Sequence, residues 1–450
     1  MARYILCFLS AFFASASLLL VVVGVPSETE RHQVLTVTPR TEDDVQMLHL
    51  LQTKPNLEVS FWTYPRAPGQ GVDLMVSSSH IKQLRKHLES GNFTTETKIE
   101  NVQELAEQQM AGASAPSEIW AVGLKPTMFD YGKYHTYEEI LDWTRNITAA
   151  YPKITRLHEL GVSFEGRTVN GIQISTAMKG NTPNATLRPA LYFQSGMHAR
   201  EWIAPATVMF MAATMLDKYG KDKNVTTILD TFDVFFVPLV NPDGYVYTWT
   251  SEPKARGWRK TRTKNTGTSC VGLDPNRNFP VKFAEKGASH NPCDDTYCGP
   301  FPFFAVEVLN VAKFLISQPG ISFKGFIDFH SYSQLWMTPY AYTKELPPDY
   351  KVLIEGCQET IAALEAVYGT VYKCGSIANI INYLSSGSSA DFTYAKLNIT
   401  YSYGVELRDT GKHGFLLPAD QIIPSGTETL AGLVTYGLFV KEKLQHPIKN

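Results

Sequence analysis

"RPALYFQSGMHAREW" (residues 188–202) decides how this chain reads: a strand-like apolar run ends at a glycine, and His198 and Glu201 follow directly. Two later stretches have the same form. "FKGFIDFHSYSQ" (323–334) delivers His330, and "ITYSYGVELRDTG" (399–411) delivers Glu406. In open α/β sheets a site forms beyond the carboxyl ends of the strands, so residues distant in sequence can meet there. A catalytic zinc commonly takes two imidazoles and one carboxylate and keeps a position open, with a further carboxylate nearby as general base. His198, Glu201 and His330 are therefore candidate metal ligands, and Glu406 the candidate base. An H-x-x-E spacing is weak on its own, expected about once by chance in such a chain; the strand-end setting gives it weight.

Between the first and last of these strands lie basic residues suited to an anion. "ARGWRKTR" (255–262) supplies Arg256 and Arg259, and "LDPNRNF" (273–279) supplies Asn276 and Arg277. A guanidinium fork with an amide beside it suits bidentate capture of a carboxylate.

With these segments in hand, the chain resembles the zinc metallocarboxypeptidases of the pancreatic A/B type. "HAREW", "NPDGY", "WRKTR", "NRNF", "HSYSQL" and "VELRDTGKHGFLLPADQIIP" occur in that family's order and at nearly its spacing. The resemblance implies His198, Glu201 and His330 as ligands of one zinc per chain, and Glu406 as general base and acid. It implies Arg259 as stabiliser of the carbonyl oxyanion, and Asn276, Arg277 and Tyr383 as the grip on the substrate's terminal carboxylate. Arg200 and Tyr332 match positions in neighbouring substrate subsites, and Asp274 matches the residue that orients the first zinc histidine. Cys270 and Cys293 match the family's disulfide. An exopeptidase has to recognise a free carboxylate at a fixed distance from its metal, so one cluster measures the chain end while the other cuts.

The 450 residues exceed one typical domain, and 44% apolar content supports a sizeable core. A formal net charge of −2 gives no electrostatic footprint for nucleic acid. Residues 1–25 read as a secretory signal peptide: a basic residue, a long apolar run, then small residues near Pro26. Sequons at Asn92, Asn146, Asn184, Asn224 and Asn398 suit that route, so the protein is expected to be secreted, with no stable membrane association. Cys357 and Cys374 could form a second bridge, between a helix and the strand after it; the partner that Cys298 has in some relatives is absent, so the resemblance implies a free thiol there, expected to be buried.

Residues 26–112 read as a small α+β, ferredoxin-like domain. Strands are expected at "HQVLTVTP", "LEVSFWTY" and "GVDLMVSS", and helices at "TEDDVQMLHLLQ", with Thr41 as cap, at "SSHIKQLRKHLES" and at "NVQELAEQQM". The resemblance implies an activation segment covering the cleft. A linker (113–130) leads to a catalytic domain (131–445), which opens on an amphipathic helix capped by Thr136. Its fully apolar strands and amphipathic helices imply a mixed, largely parallel sheet with helices on both faces.

Counting through "YLSSGSSAD" places Ala390 at the floor of the pocket for the substrate's last side chain, with Gly404, Ala341 and Ile377 on the walls. The resemblance then implies apolar or aromatic chain ends. One extra residue before Tyr383 and another after Asp391 leave a register slip open, which would put Asp391 at the floor and favour Lys or Arg. An inactive peptide-binding relative is a further alternative, although no catalytic position is missing. Partners are peptide or protein C-termini and an activating protease. The linker offers that protease no tryptic site: the first basic residue after Lys98 is Lys125, and Pro126 blocks it.

Overall fold

Apolar residues alternate between two cores along the central strands, and this places helices on both faces of the main sheet. The computed structural model describes residues 31–51, 54, 57–114, 129–179 and 187–446. The leader, most of the linker and Asn184 lie outside the described residues.

The first unit contains β1 (His32–Pro39), β2 (Ser60–Phe61), β3 (Val72–Ser77) and β4 (Phe93–Ile99) in the antiparallel order β2-β3-β1-β4. Helices Glu42–Leu51 and Ile81–Leu88 fall between them in the βαββαβ order of ferredoxin-like units. Leu35 and Val37 pack with Leu48, Leu74 and Leu84 in its core. Thr41 caps the first helix, its Oγ1 accepting from Asp44 N at 3.1 Å. Two expectations change. "LEVSFWTY" pairs only at Ser60–Phe61, because the chain then leaves the sheet to cross the neighbouring unit. Strand β4 was hidden by its polarity, since "FTTETKI" is an edge strand with one buried residue, Ile99.

The second unit holds β5 (Thr155–Val162), β6 (Thr168–Ile174), β7 (Arg188–Ser195), β8 (Asp233–Val237), β9 (Ile321–Ser331), β10 (Leu335–Thr338), β11 (Lys373–Ser376) and β12 (Tyr401–Leu407). Their order is β11-β10-β12-β9-β7-β8-β6-β5. The centre, β12-β9-β7-β8, is parallel, whereas β10 runs antiparallel to β12, and β5 and β6 pair antiparallel at the other side. In β7, Leu191 and Phe193 join a core with helices Ile203–Lys218, Tyr350–Tyr368 and Ile422–Gln445, while Ala190 and Tyr192 join a second core with helix Val306–Ser317. Burial on both faces explains the unbroken apolar run. The opening helix Tyr137–Ala150 carries a full capping box between Thr136 and Glu139, a motif worth about 1 kcal/mol. Strand β5 was not foreseen because it is a half-exposed edge, and β10 because it is only four residues long; β11 is the strand expected at Cys374.

One buried acid ties stability to pH. Glu307, at the start of Val306–Ser317, accepts from Phe164 N at 3.0 Å through Oε1, while Oε2 has no partner. Burial, with the Asp243 and Glu165 charges adding, pushes its carboxyl up to about 7. A carboxyl raised in the folded state contributes stability that is present below its unfolded value and lost as pH rises through about 7. Glu307→Gln should therefore gain thermal stability relative to the parent as pH goes from about 5 to about 8. Melting curves of both proteins at the two pH values check this; a constant difference would refute it.

Candidate active site

The site lies where β7, β9 and β12 end. Parallel pairing sets Glu406 of β12 directly beside His330 of β9. His198 sits in the turn after β7, which depends on Gly196 (φ +66): a Cβ there would come within 2.6 Å of the Leu239 side chain and 3.2 Å of Pro238 O. The same turn is tied down by Asn241 of "NPDGY", whose Nδ2 donates to Met197 O and Lys260 O at 3.1 Å each. Ala199 N donates to Arg259 O at 3.1 Å, so "HAREW", "NPDGY" and "WRKTR" form one scaffold.

Three donor groups converge. His198 Nδ1 is 2.8 Å from Glu201 Oε1, His330 Nδ1 is 3.0 Å from Glu201 Oε2, and the two Nδ1 atoms are 3.1 Å apart. The outer Nε2 atoms face carboxylates, His198 toward Asp274 at 3.2 Å and His330 toward Asp328 at 3.1 Å. Inward Nδ1 atoms with outer N–H groups on carboxylates are what metal-binding imidazoles require. Glu406 Oε2 is buried beside this cluster with no hydrogen-bond partner. The residues therefore fit a divalent cation. Asp328 was missed from sequence; its position two residues before His330, on the same strand face, was the available signal.

The charges are strongly coupled. Burial opposes ionisation of Glu201, but the two imidazoles hold its carboxyl well below the usual range. Burial pushes Glu406 up to about 8, with the Glu201 charge adding and His330, Arg259 and Arg66 opposing. Against burial, Arg259, Arg277 and His198 hold Asp274 well below the usual range. Arg259 donates from Nε and Nη2 to Asp274 Oδ2 at 3.0 and 2.8 Å, leaving its Nη1 4.0 Å from Glu201 Oε1.

Asn276, Arg277 and Tyr383 line the same cleft. Arg277 Nε and the Tyr383 hydroxyl both donate to Gly287 O, at 2.9 and 3.0 Å. Asn276 Oδ1 accepts from Ser389 N at 2.8 Å. Arg256 does not belong to this group. It stacks on Trp202 at 3.9 Å and donates to Arg200 O and Phe415 O, a scaffold role that its sequence neighbourhood did not distinguish from anion binding.

At the side-chain pocket, Ala390, Ala341, Ile377 and Met337 form one apolar cluster. A Cβ on Gly404 would lie 3.7 Å from Ile377 Cδ1, an ordinary contact, so the glycine leaves room that packing does not demand. Asp391 turns away from this space: its carboxylate accepts from Ala341 N at 3.0 and 3.1 Å and from Tyr342 N at 3.3 Å.

The first unit closes the cleft. Trp62, Thr63, Tyr64 and Arg66 line it together with the metal-site residues. Tyr64 stacks on Tyr383, centroids 5.2 Å apart. Arg200, fully buried, donates to Phe61 O at 2.9 Å; the Tyr332 hydroxyl donates to Asp73 at 2.7 Å, and Lys98 holds that carboxylate at 2.6 Å. Val34, Trp62, Met75 and Ile99 share a core with Tyr332, Phe415 and Leu416. Disulfides join Cys270 to Cys293 and Cys357 to Cys374, and Cys298 is free and buried.

Comparison with known proteins adds independent findings. The family described as zinc carboxypeptidase matches residues 140–432, and the carboxypeptidase activation peptide matches residues 35–109. Carboxypeptidase A2 of Mus musculus is 41% identical over 92% of this chain and 94% of its own. Carboxypeptidase A1 of Homo sapiens is 38% identical over the same shares. Among solved structures, thrombin activatable fibrinolysis inhibitor superposes with a TM-score of 0.79 at 32% identity, over 91% of this chain and 99% of that one. The carboxypeptidase A from Helicoverpa armigera shares the fold, with a TM-score of 0.81 at 24% identity over 93% and 99% of the two chains.

Proposed function

The chain belongs to the zinc carboxypeptidase family and is a metallocarboxypeptidase with zinc as its cofactor; from that premise we propose that it is a secreted zymogen that releases single apolar or aromatic residues from peptide C-termini. The observation that carries this reading is one cleft holding His198, Glu201 and His330, the unpartnered Glu406 carboxylate, and the Arg277–Tyr383 grip beside an apolar pocket.

Zinc, when bound by His198, Glu201 and His330, lowers the pKa of water and polarises the scissile carbonyl. Glu406 takes the proton from the attacking water and returns it to the leaving amine. Arg259, held by two bonds to Asp274, stabilises charge that develops on the carbonyl oxygen. Asn276, Arg277 and Tyr383 take the terminal carboxylate, so that only the last peptide bond meets the base. Ala390 and Gly404 offer volume without charge to the last side chain. Arg200 and Tyr332 serve the residues before it once the covering unit leaves.

The proposed domains are a signal peptide (1–25), an activation domain (26–112), a linker (113–130) and the catalytic domain (131–445). Among the described residues no helix is long and apolar enough to cross a membrane. The sequons Asn92, Asn146, Asn224 and Asn398 are exposed.

The linker sequence makes activation distinctive. Between Ile99 and Leu124 it has no basic residue, and Lys125 precedes a proline. An elastase-like protease should activate the precursor by cutting within "QQMAGASAPSEIW" (108–120), and trypsin should not. Sequencing the new N-termini and digesting a peptide library with the product tests processing, direction and pocket together. Efficient tryptic activation with a new terminus between Gly112 and Tyr131 would sink the processing proposal; release of Lys faster than Phe would sink the pocket assignment.

A further inference from the structure

The pocket wall is carried by an edge strand. Strand β11 is the edge of the sheet, four residues long, and pairs on one side only, with β10. Met337 of β10, which lines the pocket, lies opposite Gly375 of β11 on one side and Gly404 of β12 on the other. The chain leaving β11 becomes the wall: Ile377 and Ile381 line the cleft and Tyr383 follows. This arc is attached to neighbouring loops rather than to a second strand, by Ala378 N to Tyr340 O at 3.0 Å, Ser385 N to Ala341 O at 2.8 Å and side-chain bonds of Asn379, Asn382 and Tyr383. An edge strand this short would open readily by itself, since half its backbone groups have no strand partner.

The Cys357–Cys374 disulfide adds a covalent anchor to the packing of Tyr372 and the pairing with β10. Cys357 is fully buried in the helix Tyr350–Tyr368, whose Val352, Leu353 and Leu364 sit in the main core. Cys374 lies in β11, three residues before Ile377. The bridge thus ties the base of the arc covalently to the core, beside Tyr372, which is itself buried there, and beside the bond from Lys373 N to Gln334 O. By contrast Cys270–Cys293 ties two loop segments, with Cys293 exposed, and neither residue lines the cleft.

We propose that the Cys357–Cys374 bridge is a positioning element for substrate binding: it holds β11 against the core so that Ile377, Ile381 and Tyr383 keep the geometry that selects large apolar chain ends. The inference rests on the carboxypeptidase reading of the cleft. Opening the bridge with a dithiol breaks the S–S bond, leaves two protein thiols and oxidises the dithiol to its own disulfide. The metal ligands and Glu406 belong to β9, β12 and the turn after β7, so the chemistry should survive.

The test compares the processed parent with a Cys357→Ala, Cys374→Ala double variant and a Cys270→Ala, Cys293→Ala control. Parent protein reduced and alkylated at Cys357 and Cys374, verified by peptide mapping, replaces the double variant if that fails to fold. For a peptide ending in Phe, KM should rise about tenfold with kcat nearly unchanged and zinc retained; for one ending in Ala the change should be smaller, because the wall contributes less to it. Amide exchange should accelerate within residues 373–385 and not in residues 196–202. Unchanged exchange in 373–385, or equal losses for Phe and Ala peptides, overturns the proposal. A parent that releases no C-terminal residue would instead sink the carboxypeptidase reading, and the exchange measurement would still decide the role of the bridge.

Discussion

Glu406→Gln leaves folding and zinc content intact and lowers kcat on the order of 10³-fold or more, within the range that a positioned general base supplies. The glutamine has the same shape but cannot take a proton. Its effect on the fold should be small, because Glu406 Oε2 makes no hydrogen bond and burial already disfavours the charged form, pushing the carboxyl up to about 8. His198→Ala gives a different pattern: it removes one of three donors, so zinc is lost together with activity. Metal analysis and turnover of the two processed variants separate the roles. Normal turnover by the Glu406 variant would remove the mechanism proposed here, and full zinc retention by the His198 variant would remove the ligand assignment.

Ala390→Asp reverses the preference for the last residue. Ala390 is 2% exposed and packs with Ala341, Ile377, Met337 and Leu335. A carboxylate at that point has no partner until a basic side chain enters; burying it against an apolar side chain leaves an unpaired charge. Release of C-terminal Phe should fall by about 10²-fold or more, while Arg and Lys gain, because selectivity here comes from repulsion as much as attraction. Steady-state constants on matched peptides ending in Phe and Arg measure the change. A variant that keeps its Phe preference would show that Ala390 is not the floor. Asp391 is no obstacle to this reversal, since three backbone N–H contacts already engage its carboxylate behind the wall.

Much of this was legible in the chain. Motif order carries His198, Glu201, His330, Glu406, Arg277 and Tyr383, which the fold gathers in one cleft, because each belongs to a short segment whose local form is set by its own residues. The helix caps at Thr41 and Thr136 were equally readable. Strands β4, β5 and β10 were not, since edge and very short strands lack the apolar run that marks a strand covered on both faces. Arg256 and Arg259 show the same limit at the site. They stand three residues apart with equal charge, yet one stacks under Trp202 and the other reaches Asp274.

By itself the sequence determined the order of segments, the identity of the donor set and the absence of a tryptic linker site, all of them properties of local stretches. Only the tertiary structure decided how those stretches meet. Parallel pairing of β12 with β9 puts Glu406 beside His330, and backbone N–H groups of Ala341 and Tyr342 engage Asp391 while Ala390 packs in an apolar cluster. Packing of Trp62, Tyr64 and Arg66 into the cleft makes the first unit a cover. Each of these depends on contacts between residues far apart in the chain, which no local pattern encodes.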